Sequence, residues 1–184
     1  MKLRFLSRNS HKIEEATRIL ERYGIDLEAS RAEVEELQTV DTDRLIRDKA
    51  LKAFEKVGHP LFVEHTGLYL DLLNEFPGGL TQVFWDQLGK EKFAKLFAHP
   101  KARAVARTHI GYVDGRRIHV FEGEIVGKIV SPCRVDHGFQ WDCVFVPQGE
   151  KRTFSEMGSE KDSISMRAKA LEELAKFVSK VKKI

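Results

Sequence analysis

The run Phe62-Val63-Glu64-His65-Thr66-Gly67-Leu68 delivers a carboxylate and an imidazole side by side out of an apolar segment. An imidazole with an ordinary pKa of about 6.5 beside an acid is suited to orienting or deprotonating water near neutrality. A second polar group, Ser7-Arg8-Asn9-Ser10-His11-Lys12, combines hydroxyls, an amide, a guanidinium and an ammonium. Ahead of a helix such a loop fits phosphate: free backbone N–H groups and the positive end of the helix dipole attract an anion, Asn9 orients it and Lys12 neutralises it. Asn9 or Ser10 would equally serve as an ordinary helix cap. A third group, Glu36, Asp41, Asp43 and Asp48 followed by Lys49, offers hard oxygen ligands. One of these acids together with Glu64 would make a magnesium site completed by phosphate oxygens, while each acid taken singly also fits a solvated loop. The fourth group runs from Gly138 to Phe145, where Phe139 presents a flat face for a purine and Asp142 an acceptor for a base edge, although aromatic residues this near a strand also pack in cores. Downstream, Glu160 to Arg167 introduces a helix with a capping-type pattern and brings Lys161 and Arg167 within reach of a nucleotide.

The elements that must position these groups follow from periodicity. Residues 2–6 form a first strand, and Ile13, Ala16, Ile19 and Leu20 recur at helical spacing until Gly24. A strand at 25–29, an acidic loop, and a helix through Leu45, Ile46, Ala50, Ala53 and Phe54 ending near Gly58 come next. The strand of Pro60 to Val63 is expected to break at Thr66-Gly67, leaving Glu64 and His65 at its carboxyl end, where α/β sheets bind ligands. Short helices follow the Pro77-Gly78-Gly79 turn and finish before Pro100. Segments 102–113 and 117–129, joined by Asp114-Gly115, form a hairpin with a bulge expected at Gly123, and a final amphipathic helix covers about 163–178. Alternating strands and helices of these lengths predict an α/β sandwich with a partly parallel sheet.

Composition narrows the function classes. At 184 residues, 32% charged and 42% hydrophobic, the chain reads as one globular domain, residues 1–184, with no run near the ~20 apolar residues of a membrane span. The amino terminus lacks the apolar core of a secretory signal, so the cytoplasm is the expected compartment. Cys133 and Cys143 are too few for a disulfide framework or a zinc site and are expected as reduced thiols. Thirty-one basic and 28 acidic residues are interleaved, which argues against a nucleic-acid partner.

Taken in order, these motifs resemble the inosine triphosphate pyrophosphatase family, whose members hydrolyse non-canonical purine nucleoside triphosphates. The likeness rests on Ser7-Arg8-Asn9-Ser10-His11-Lys12 for its [T/S]-x-N-x-x-K loop, Glu64-His65-Thr66-Gly67-Leu68 for its acidic strand, Phe76-Pro77-Gly78, Gly123 to Lys128, Gly138 to Phe145, Thr153 to Met157 and Glu160 to Arg167. The resemblance implies a two-lobed, elongated α/β fold with a twisted mixed sheet and the site between the lobes, a homodimer, and Mg²⁺-dependent conversion of a purine nucleoside triphosphate to monophosphate and pyrophosphate. It assigns the triphosphate to Ser7, Asn9, Lys12 and Lys49, with Thr66 beside them. The base falls to Phe139, Gln140, Trp141 and Asp142, and the reading of the nucleotide to Lys161, Ser165 and Arg167. Catalysis goes to Lys12, Glu64 and His65 and the metal to Asp41, Glu64 and His65, with Glu36 as the competing loop acid.

The chain departs from the family pattern at the site itself. His65 stands where the family has a second acid, Gln140 replaces the glycine after the stacking Phe, and Met166 replaces a histidine. An imidazole permits base chemistry but gives Mg²⁺ no anionic oxygen, and Mn²⁺ tolerates the exchange better. The expected function is a metal-dependent nucleoside triphosphate pyrophosphatase; the alternative is a catalytically weak nucleotide-binding or sensing protein, or a pyrophosphatase with changed base preference.

Overall fold

The computed structural model describes residues 1–135 and 139–181, the side chain of Val181 excepted; Gly138, the first residue of the base-binding motif, lies outside them. Six strands form one twisted sheet in the order β2-β1-β3-β4-β5-β6. Strands β1 (Lys2–Leu6) and β2 (Asp26–Ser30) pair in parallel, as do β1 and β3 (Leu61–Leu70), while β4 (Ala104–Val113), β5 (Ile118–Ile129) and β6 (Phe145–Pro147) continue the sheet antiparallel. Helices α1 (Ser10–Glu21) and α6 (Met166–Val181) cover one face with a core of Leu3, Phe5, Ile19, Phe62, Leu171 and Leu174. The opposite face is covered by α2 (Thr42–Val57), through Leu6, Ile46, Ala50, Leu61 and Val63. A third core, built from Leu68, Phe93, Trp141, Phe145 and Phe154, joins α3 (Thr81–Leu88), α4 (Lys90–Phe97) and α5 (Phe154–Met157) to the far end of β3 and β4, forming the second lobe.

Three expectations are corrected. Strand β3 does not stop at Thr66-Gly67: it runs ten residues to Leu70, all buried, in unbroken register with β4. Gly67 is there because a Cβ would lie 2.4 Å from the carbonyl oxygen of Gly78, so it marks a close backbone approach inside the strand, not a turn. The hairpin has no bulge at Gly123, which faces Thr108 in continuous register. A Cβ there would sit 2.1 Å from the Met166 carbonyl oxygen, so this glycine admits α6 onto the sheet. Finally, Cys133 and Cys143 are not thiols but a disulfide with Cα atoms 5.0 Å apart. Their segments are drawn together by backbone hydrogen bonds from Val130 N–H to the Val144 oxygen and from Arg134 N–H to the Cys143 oxygen, both 2.8 Å, a proximity that spacing alone did not reveal.

Candidate active site

The lengths of β1 and β3 create the site. β1 ends at Leu6 whereas β3 continues, so past Val63 the edge of β3 has no strand on that side. A cavity of about 260 Å³ opens there, lined by Ser7, Arg8, Asn9, Lys12, Glu36, Lys49, Glu64, His65, Thr66, Gln82 and Gln140. Lys49 Nζ reaches across and donates to the Glu64 carbonyl oxygen at 3.0 Å, satisfying the open strand edge.

Alternation along β3 then separates Glu64 from His65. Phe62 packs on the α1/α6 side and Leu61 and Val63 on the α2 side, so the period of two sends Glu64 and Thr66 toward α1/α6 and His65 toward α2. Glu64 accepts from Arg167 Nε at 2.7 Å, Arg167 Nη2 at 3.0 Å and Thr66 Oγ1 at 2.8 Å, and pairs with Lys12 Nζ at 3.1 Å. Despite burial, the Arg167 and Lys12 charges hold its carboxyl far below the ordinary range, and burial pushes the Lys12 ammonium down. On the other face, His65 Nδ1 contacts Glu36 Oε1 at 3.2 Å, and Glu36 also accepts from Lys49. Burial depresses His65 below 6.5 against the pull of Glu36. As a neutral ring it donates from Nδ1 to Glu36, leaving Nε2 buried and without a partner among the described residues. His65 therefore presents Glu36 to the pocket more than it presents itself.

Asn9 caps α1, accepting from Lys12 N–H at 3.1 Å, so the loop expected to take phosphate also serves as the helix cap. Asp41 is placed elsewhere: exposed and absent from the cavity wall, it caps α2 by accepting from Arg44 N–H at 3.0 Å, and Glu36 takes the pocket position. Among the described residues no group of three or more His, Cys, Asp or Glu side chains is arranged to hold a metal ion. Glu64 is committed to Arg167 and Lys12, while the Glu36 side chain is 32% exposed. The donor chemistry thus fits a hard cation that arrives with phosphate oxygens, not one caged by protein ligands alone.

A second cavity of about 140 Å³ adjoins α1, lined among others by His11, Glu15, Phe139, Asp142 and Lys161. Lys161 Nζ lies 2.5 Å from Asp142 Oδ2, 3.2 Å from Glu15 Oε2 and 5.0 Å from the centre of the Phe139 ring. Asp142 Oδ1 is buried and without a partner among the described residues, and burial raises its carboxyl pKa despite Lys161. Trp141, expected at the pocket, instead packs in the core against Phe145 and Phe154. Ser165 starts α6, accepting from Ala168 N–H at 3.2 Å. Glu15 escaped sequence reasoning: it joins Arg167 and Lys161 beneath both cavities, and its signal was an acid on the otherwise apolar face of Ala16, Ile19 and Leu20. Gln82 escaped it too, an α3 residue whose amide oxygen accepts from Gln140 Nε2.

A mixed sheet whose open edge carries a cleft lined by Lys12 and Lys49 with their paired acids, beside a half-buried aromatic ring, is the architecture on the page, and the comparisons name its family. The Ham1 family model matches residues 3–177, and the chain belongs to that family. It is 38% identical to a dITP/XTP pyrophosphatase of Methanopyrus kandleri over 96% of each chain, and 35% identical to one of Saccharolobus solfataricus over 97% of this chain and 94% of the relative. The fold matches that of a HAM1 protein from Coxiella burnetii with a TM-score of 0.79 and 23% identity, covering 98% of this chain and 99% of the other. No helix among the described residues is long and apolar enough to cross a membrane.

Proposed function

We propose that this chain converts nucleoside triphosphates carrying a 6-keto purine, of the dITP and XTP type, to the monophosphate and pyrophosphate. The observation that carries the reading is the adjacency of a cationic phosphate cavity to a buried donor–acceptor pair, Lys161 and Asp142, under an aromatic ring. A keto oxygen beside a ring N–H complements an ammonium donor and Asp142 Oδ1, which has no partner among the described residues, whereas adenine sets a donor against the ammonium and an acceptor against the carboxylate.

Hydrolysis needs charge neutralisation and an aligned water, with little covalent work for the protein. Ser7, Asn9, the first amides of α1, Lys12 and Lys49 hold the phosphates. Glu36, fixed by Lys49 and His65, accepts a hydrogen bond from the attacking water and aims it at the α-phosphorus; as the water oxygen bonds to phosphorus the bond to the bridging oxygen breaks, pyrophosphate leaves with the electron pair, and the water's proton passes to solvent by way of Glu36. Glu36 is the carboxylate that would hold a Mg²⁺ ion arriving with the triphosphate, and that ion would supply further neutralisation of the phosphate oxygens. We also place the protein in the cytoplasm as a homodimer. The large apolar side chains exposed on 71–97, Leu72, Phe76, Val83 and Leu96, offer surface for the dimer, while a disulfide is uncommon in the cytosol of mesophiles.

The test is pyrophosphate release from dITP, XTP, dGTP and dATP with Mg²⁺, with Mn²⁺ and with a chelator. Release from dITP and XTP that stops on chelation is expected, with the least release from dATP; dGTP, which shares the keto oxygen and ring N–H, measures what the rest of the pocket adds to selection. Absence of release from every nucleotide with either metal ends the proposal, and tight binding without turnover would assign the chain to nucleotide sensing.

A further inference from the structure

We propose that the Cys133–Cys143 disulfide is the positioning device of the base site: oxidised, it holds Phe139 and Gln140 over the cleft, and reduction loosens nucleotide binding. The proposal rests on the nucleotide reading above.

The two ends of the bridge are unequal. Cys143 is buried in the second-lobe core with Trp141, Phe145 and Phe154, while Cys133 is only partly buried against it. The residues that face the nucleotide lie inside the ring closed by the bridge, three and four positions before Cys143, and neither is buried in a core of its own. The Phe139 ring rests on charged neighbours, with Lys161 Nζ 5.0 Å and Arg167 Cζ 5.8 Å from its centre and the His11 ring at 5.3 Å. Gln140 reaches the other way, donating its amide to Gln82 on α3 across the mouth of the phosphate cavity. The Gln140–Gln82 bond is exposed, and the Phe139 ring lies only half-buried on Lys161 and Arg167, with no apolar socket of its own among the described residues.

Two described residues inside the ring are also held away from their easiest conformations. Val135 and Gln140 have φ of 47° and 44°, a left-handed geometry that costs a side-chain-bearing residue roughly 1–2 kcal/mol. A ring this short removes many of the alternative states into which such residues would otherwise relax. Trp141 anchors the carboxyl side of the cap in the core, and the tether is what holds Phe139 and Gln140 ahead of that anchor.

Reduction is a two-electron exchange with a dithiol. One thiolate of the dithiol attacks the more accessible Cys133 sulfur and expels the Cys143 thiolate; the second thiol resolves the mixed disulfide, leaving two protonated cysteines and the oxidised, cyclic form of the dithiol.

The experiment compares the full chain in oxidising buffer and in dithiothreitol, alongside Cys133→Ser. With dITP, reduction is expected to raise KM roughly tenfold with kcat within about twofold, reversibly on reoxidation, and Cys133→Ser to show the reduced values in both buffers. Mere loss of stability would lower the active fraction and leave KM in place. Hydrogen exchange of the amides of 139–142, read without nucleotide, is expected to quicken on reduction. That readout separates the two ideas: faster exchange in a chain that turns over no nucleotide supports the tether and sinks the function. Unchanged KM together with unchanged exchange, or two free thiols in the chain purified under air, overturns the proposal.

Discussion

The two ends of the cleft are built on opposite plans. At the phosphate end, Lys12, Glu64 and Arg167 stand on α1, β3 and α6, and Glu64, Glu15, Lys12 and Arg167 are tied into one buried ion-pair network. At the base end, Phe139 and Gln140 stand at a single-turn segment, Gln140–Cys143, closed by a disulfide, with Asp142 Oδ1 and Trp141 Nε1 buried and without partners among the described residues. Regular elements cannot easily shift, so the charges proposed to meet the triphosphate are fixed there. The groups proposed to choose among bases sit on a tethered loop, where sequence change would alter selectivity without unpicking the fold. The departures Gln140 and Met166 fall at or behind this base end.

The largest effect expected from breaking this contrast is at Arg167. Arg167→Leu leaves Glu15 and Glu64 as buried anions with Lys12 and Lys161 as their remaining cations, and urea denaturation is expected to show a loss of about 3–5 kcal/mol. A loss below about 1 kcal/mol would show that the network is not the structural half of the site. Phe139→Ala makes the opposite kind of change. It should raise KM by roughly ten- to a hundredfold, the scale of one base stack, while the urea midpoint stays near wild type. An equal loss of stability at both positions would erase the distinction between the two ends.

Acid sharpens the same comparison. Glu15 and Glu64 have folded pKa values held below their ordinary 4.5, chiefly by Arg167 acting against burial, so their contribution is full above 4.5 and is lost as pH falls through the folded values. Asp142 runs the other way: burial raises its carboxyl above 3.8, so as pH falls it is protonated more readily in the folded state and opposes part of the loss. Thermal unfolding from pH 7 to pH 3 should therefore show a falling midpoint below about 4.5, and Asp142→Asn should steepen that fall. At the catalytic level, if His65 serves to present Glu36, the kcat profile has no imidazole limb below 6.5, where burial places this ring, and His65→Gln, whose amide still donates to Glu36, loses less activity than His65→Leu. A limb below 6.5 that disappears in His65→Gln would reinstate the imidazole as the base.

What was legible in the sequence divides along the same line. The strand–loop–helix that presents Asn9 and Lys12, the order of helices and strands, and the identity of Glu64 all follow from local pattern, because capping and periodicity are set by neighbours in the chain. Gly67 and Gly123 were misread as a turn and a bulge because their reason lies in Gly78 and Met166, far along the chain. Asp41 and Glu36 could not be told apart until α2 showed which one it needed as a cap. The disulfide and Glu15 were missed for the same cause: each owes its role to partners that only the tertiary structure brings near.

The smallest expected effect, and the finest division between the two ends, is at Gln140. Glycine accepts a φ of 44° without strain, so Gln140→Gly should relieve the backbone by about 1 kcal/mol, and losing one exposed amide bond to Gln82 offsets about half of that gain. The net change in the urea midpoint is therefore small and stabilising. The consequence for substrate is separate. Without the Gln140 amide across the cavity mouth, the base end is wider and less selective, so the ratio of kcat/KM for dITP over dGTP should fall by a few-fold while the Lys12 and Lys49 phosphate contacts, and hence the response to chelation, stay as they are. If the glycine variant instead keeps its base ratio and changes its metal response, Gln140 belongs to the phosphate end, and the boundary between the two halves of the cleft lies on the other side of the Phe139 ring.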